Sequence, residues 1–302
     1  MLATCLSLRS PFSGLLMTQA IDVWFNAWPK EQVDRLKSQP ELEYVFKVEK
    51  LDFPSPTPEE ALAILDEAGV EIAFLTSLKQ GFHRRMRLSG PRDRMILEVS
   101  FRDLLPFLEK YPRRFRGLYG INPWLVMDGV RELEVAVKEY GFVGAVTHVG
   151  GFAPFNDKIW YPFYTKCAEL DIPVITQAGH FGEFMPEGWA HPLLLDEVAL
   201  DFPELRIIGG HTAWPWSDEM IAVALKDPNV YISVEAHLPK YYEPSLVKYI
   251  NTRGQDKVMW GSDWPVTDPK RNLAQIEELG LRDEPKRKLL RDNAVRVFRL
   301  DI

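Results

Sequence analysis

The chain has 302 residues, an apolar fraction of 46%, and 36 Lys and Arg against 43 Asp and Glu, a formal charge of −7. That size suits one large domain, and the acidic balance argues against nucleic acid or an anionic membrane as a partner. No stretch approaches the ~18 consecutive apolar residues of a membrane span. Its two cysteines, Cys5 and Cys167, make neither a disulfide framework nor a metal cluster, which points to a reducing, cytoplasmic setting.

The first sixteen residues hold Arg9 and no acid. Met17-Thr18-Gln19-Ala20 leads straight into an apolar run, so translation is expected to start at Met17. Residues 1–19 are then an extension, disordered or untranslated, ahead of a single domain over 20–302. The first strand is Ala20–Trp24. A long excursion over residues 25–57 follows, with a short helical insertion and a Pro-rich end at Pro54, Pro56 and Pro58. Acids behind Pro58 start a helix over Glu59–Ala68, and Gly69 stops it.

Further strands are predicted at Ile72–Ser77, Phe115–Ile121, Val143–His148, Pro173–Gln177, Arg206–Gly209, Tyr231–Val234 and Val258–Trp260. Helical spacing of apolar residues marks Gly129–Tyr140, Trp160–Leu170, Ser217–Leu225 and Pro244–Asn251 between them. Eight strands alternating with helices, and no break in composition, predict an α/β fold, a single (β/α)8 TIM barrel. A dense basic stretch with Arg84, Arg85 and Arg87 follows the second strand. It reads either as an anion clamp for a substrate carboxylate or phosphate, or as a solvated loop and helix start.

Two strands stop abruptly at reactive side chains: Gly209-Gly210-His211, and Val258-Met259-Trp260 followed by Gly261-Ser262-Asp263-Trp264-Pro265. In a parallel barrel such strand ends converge on one mouth. The two glycines before His211 leave room for a ligand to approach. Asp263 reads as a general base or as a helix N-cap, with Thr267 as a competing cap. His148 and His180 also follow strand ends, whereas Glu235 and His237 read as third-rank loop groups, because exposed loop charges are usually solvated. Trp24, Trp214 and Trp264 flank strand ends and suit a flat apolar substrate.

The chain resembles the amidohydrolase-related hydrolase and decarboxylase family, the one containing aminocarboxymuconate semialdehyde decarboxylase. The matching segments run from Ile21-Asp22 through Gly117-Leu118-Tyr119-Gly120-Ile121-Asn122-Pro123, Ile175-Thr176-Gln177-Ala178-Gly179, Gly209-Gly210-His211 and Gly261-Ser262-Asp263-Trp264-Pro265 to Asn293-Ala294-Val295-Arg296. The stretches Ser217–Ala224 and Leu238-Pro239-Lys240-Tyr241-Tyr242 resemble a subgroup that includes 4-hydroxyphenyl-β-ketoacyl-CoA hydrolase. The resemblance implies a homodimer and a small-molecule substrate, an aromatic acid or an acyl-CoA. It also implies a metal held by a His-x-His on the first strand, a His on the fifth and an Asp on the eighth, beside a working His on the sixth.

Those positions carry Trp24 and Asn26, Gln177, Asp263 and His211 here. Indole and amide groups are poor zinc donors, so no metal is expected in that place. The alternative is a weak or relocated zinc on His148, His180, His211 or His237. The function expected is a hydrolase of a C–C or ester bond in an aromatic or cyclic carbonyl compound, with a β-ketoacyl-CoA as the specific version. Asp263 activates water while His211 and His180 stabilise the oxyanion. His148, Gln177, Trp24, Asn26, Arg84, Arg85, Trp214 and Trp264 contact substrate. The alternatives are a non-oxidative decarboxylase of a hydroxyaromatic acid, or a non-catalytic barrel that binds a ligand.

Overall fold

A computed structural model describes residues 19–39, 52–81, 95–182 and 185–302. The N-terminal eighteen residues and the basic stretch with Arg84 and Arg85 lie outside them. Among the described residues ten strands run in chain order: β1 (Ala20–Phe25), β2 (Val70–Thr76), β3 (Lys79–Gly81), β4 (Met95–Glu98), β5 (Phe115–Gly120), β6 (Gly144–Thr147), β7 (Val174–Gln177), β8 (Ile207–Gly210), β9 (Val230–Ser233) and β10 (Val258–Met259). Eight of them pair in parallel in the order β1-β2-β5-β6-β7-β8-β9-β10. Backbone bonds then join the last strand to the first. Val23 donates to the Trp260 carbonyl at 3.2 Å, Asp263 to that of Trp24 at 2.8 Å, and Asn26 to that of Trp264 at 2.9 Å. The protein is a nearly closed (β/α)8 barrel.

The strands are short and buried on both faces, as parallel strands between a barrel interior and a helical layer must be. That is why they read as apolar runs rather than as alternating patterns, and why all eight predicted strands overlap the observed ones. The helix Pro58–Ala68 starts one residue before the predicted Glu59. A capping box, Thr57 with Glu60, satisfies its first N–H groups, and Gly69 ends it in the left-handed conformation at φ 78°. Helix Leu193–Asp201 was not predicted. Leu193 and Leu200 face outward while Leu195 and Val198 are buried, so its apolar pattern has no single face to detect.

The segment after β2 holds two short strands that the sequence did not predict, on either side of the basic stretch, which itself lies outside the described residues. Its described parts form an antiparallel pair, with Lys79 opposite Glu98. Polar Lys79 and Gln80 give no strand signal, yet both are buried. The insertion after β1 carries the expected helix, Lys30–Lys37. No helix among the described residues is long and apolar enough to cross a membrane.

Candidate active site

Polar side chains gather where β8, β9, β10 and β1 leave the sheet. The backbone there enters the left-handed region at residues other than glycine: His211, Thr212 and Ala213 (φ 57°, 55° and 54°), Ala236 (68°) and Asp263 (56°). Each costs an L-residue ~1–2 kcal/mol, so local contacts have to hold it. Strain concentrated at the carboxyl ends of barrel strands is a mark of a working site.

Glu235 supplies part of that hold. It is fully buried, and its Oε1 accepts both the backbone N–H of His211 at 2.9 Å and the ring Nδ1 at 3.1 Å. Burial pushes the carboxyl up, but hydrogen bonds, first from His211, and the His211 charge together outweigh it and hold Glu235 below the usual range. An ionised carboxylate only accepts, so Nδ1 carries the ring proton. Nε2 then faces Asp263, whose Oδ2 lies 3.5 Å away.

The reading of Glu235 as a loop charge of third rank is therefore overturned. What hid it is its place just past a strand end, where solvated and buried carboxylates have the same local sequence. The glycines before His211 are also reinterpreted. A Cβ on Gly210 would stand 2.2 Å from Glu235 Oε1, and one on Gly209 would stand 2.5 Å from the Met220 sulfur. The space they leave is filled by the protein itself, not by a ligand.

Asp263 is held from the opposite side. Its Oδ1 accepts the Asn26 amide N–H at 2.7 Å. The Asn26 oxygen in turn accepts from Thr76 Oγ1 at 2.6 Å and from the Trp24 indole at 3.2 Å. With two donors on that oxygen, the amide can turn only one way, and its NH2 must face Asp263. Trp24 also packs edge-on against the His211 ring at 5.1 Å. Trp24, Asn26, His211 and Asp263 thus form one cluster, joined by Glu235 and by Thr76, which carried no signal in the sequence beyond lying inside the predicted strand Ile72–Ser77.

Neither Asp263 nor Thr267 caps the helix that follows. Asp268 does, accepting from the Arg271 N–H at 2.7 Å. Thr267 bonds back to the Ser262 carbonyl instead. Beneath the cluster, Asp22 accepts from the backbone of Trp24 at 3.1 Å and of Ser262 at 2.8 Å, tying β1 to the loop that carries Asp263. Complete burial pushes its carboxyl up to about 7, with the nearby Glu235 charge adding to the rise.

The other predicted residues sit apart from these contacts. Gln177 neighbours Gly210 in register and donates to the His180 carbonyl at 3.3 Å. His148 is buried, accepts the Gly150 N–H at 3.2 Å and packs on Phe181. His180 is half-exposed and pairs with Glu187 at 2.9 Å. It meets Trp214 edge-on at 5.6 Å, and Trp214 meets His237 at 6.2 Å. Trp264 stacks on Phe25 at 4.7 Å and is largely buried.

A (β/α)8 barrel with its polar cluster at the carboxyl strand ends has the architecture common to TIM-barrel enzymes. The chain belongs to the Amidohydrolase family Amidohydro_2, whose model matches residues 21–300. It is 29% identical over 237 residues to a 2-keto-4-carboxy-3-hexenedioate hydratase from Sphingobium sp., covering 64% of this chain and 69% of that protein. It is 26% identical over 242 residues to a gamma-resorcylate decarboxylase from Polaromonas sp., covering 64% and 72%. The fold is similar to that of 5-carboxyvanillate decarboxylase from Novosphingobium aromaticivorans, solved with manganese and 4-hydroxy-3-methoxy-5-nitrobenzoic acid. That likeness has a TM-score of 0.69 and 16% identity, over 93% of this chain and 96% of that one.

The cluster does not suit a tightly held divalent ion. Of the positions that the resemblance assigns to ligands, Trp24 has no donor lone pair, and Asn26 turns its NH2 rather than its oxygen toward Asp263. The Gln177 amide is a weak donor. Among the described residues, no three or more His, Cys, Asp and Glu side chains are grouped to hold a metal.

Proposed function

We propose that the protein is a lyase that removes CO2, without oxidation, from a small hydroxyaromatic acid, and that it does so without a bound metal. The observation that carries the reading is His211, bonded to buried Glu235 through Nδ1 and facing Asp263 through Nε2. Glu235 supports a positive charge on the imidazole. The His211–Asp263 pair can therefore store a proton in a place largely removed from water.

In the proposed reaction the pair delivers that proton to the ring carbon bearing the carboxylate. The C–C bond then breaks, its electrons return to the ring, and CO2 leaves. One proton from solvent restores the pair, so the net change is ArCOO⁻ + H⁺ → ArH + CO2. The Asn26 amide keeps Asp263 from rotating away and leaves Oδ2 as the working oxygen. Decarboxylation is favoured by the gamma-resorcylate decarboxylase relatives from Polaromonas sp. and Rhodococcus jostii.

Hydration is the second reading, on the strength of the hydratase relative. Adding water across a C=C bond uses the same proton delivery to carbon. Cleavage of a β-ketoacyl thioester by water activated at Asp263 is the hydrolytic version that the subgroup resemblance implies. One assay separates the three. Protein held in chelator is offered 2,6-dihydroxybenzoate, an unsaturated keto acid and a β-ketoacyl-CoA in D2O. The proposal expects CO2 release and one deuterium at the vacated ring carbon. Turnover of only the keto acid or only the thioester, or complete dependence on added metal, would overturn it.

A further inference from the structure

His237 follows Glu235 by two residues on the loop after β9, and the cluster described above makes no use of it. The loop is fastened at this point, because the His237 carbonyl accepts from Asn272 Nδ2 at 3.4 Å. The ring is partly buried and lies 6.2 Å from Trp214, tilted 50° to it. Trp214 is 40% exposed, so one aromatic wall at the mouth is open. Among the described residues, neither ring nitrogen of His237 finds a hydrogen-bond partner. Its ring nitrogens are not sealed from solvent, so they stand open to a ligand at the mouth.

We propose that His237 and Trp214 form a substrate subsite that takes a phenolic hydroxyl, with Trp214 against the ring face and the imidazole bonded to the hydroxyl oxygen. This rests on the decarboxylase reading and adds to it which substituent is selected. The chemistry favours a hydroxyl over the carboxylate. Burial, reinforced by the charges of His211 and His180, pushes the His237 imidazole down to about 4. It is neutral at working pH, with one donor and one acceptor, and a phenol offers the matching pair. A carboxylate would call for a cation.

The test measures binding of 2,6-dihydroxybenzoate and of benzoate by quenching of tryptophan fluorescence. Wild type should prefer the dihydroxy acid. His237→Phe should weaken the dihydroxy acid about tenfold and leave benzoate unchanged, as the loss of one hydrogen bond predicts. His237→Gln, which keeps a donor and an acceptor, should recover most of the preference. His237→Ala carries the same comparison should the Phe variant fail to fold. An unchanged preference in the Phe or Ala variant would overturn the subsite, as would an equal loss for both acids. If wild type binds neither acid, the decarboxylase reading itself fails, and the subsite fails with it.

Discussion

The two ends of the barrel differ in how far their polar side chains bond one another. At the amino ends of the strands, side chains satisfy backbone. Asn229 Nδ2 donates to the carbonyls of Ala199, Phe202 and Leu205 at 3.4, 3.0 and 2.9 Å. Lys257 donates to those of Asp227, Pro228 and Val230, and burial pushes its ammonium down to about 8. At the carboxyl ends, side chains hold one another: Asn26 with Asp263, Glu235 with His211, Thr76 and Trp24 with Asn26. The first arrangement fastens loops. The second holds ionisable groups against one another, beside left-handed backbone that works against stability.

If that contrast is right, Asp263→Asn should be the most damaging change to turnover. It is nearly isosteric but cannot carry the proton, so kcat should fall ~10²–10⁴-fold while the melting temperature stays within a few degrees. A fully active variant would make the carboxylate structural. Gly210→Ala attacks the same end indirectly. Its methyl group would collide with the Glu235 carboxylate and come within 3.0 Å of the Thr176 carbonyl. Turnover should drop sharply and stability by about 1–3 kcal/mol, read from kcat and a urea titration.

Installing imidazole at the three missing ligand positions, Trp24→His, Asn26→His and Gln177→His together, should change metal content from a trace to near one equivalent of zinc. Elemental analysis after dialysis decides it. Wild type already carrying a full equivalent would overturn the metal-free reading.

Asn229→Ala tests the opposite end. Leaving three carbonyls short of a donor should cost about 1–3 kcal/mol of stability with kcat unchanged. A loss of activity without loss of stability would erase the distinction between the ends. The smallest effect expected is a slope. Asp22 ordinarily titrates near 3.8 and is pushed up to about 7 in the folded protein. The stability tied to its proton is therefore complete below its ordinary value and is lost as pH rises toward 7. Asp22→Asn cannot ionise, so its melting temperature should fall less than that of wild type between pH 4 and 8.

Most of the barrel was legible in the sequence. A strand between a barrel interior and a helix layer must be apolar on both faces, so eight such runs announced themselves. His211 and Asp263 were legible for the same reason, as reactive groups standing where an apolar run stops.

Tertiary structure alone decided the rest. Asn26 and Asp263 are 237 positions apart, and only barrel closure brings the amide to the carboxylate. The direction of that amide depends on Thr76, fifty residues further along the chain. Glu235 looks like any loop acid until Gly210 and the His211 backbone enclose it. Local pattern determines where a strand runs and stops. Which polar groups then lose water together depends on contacts between distant residues, and those contacts set the charge each one carries.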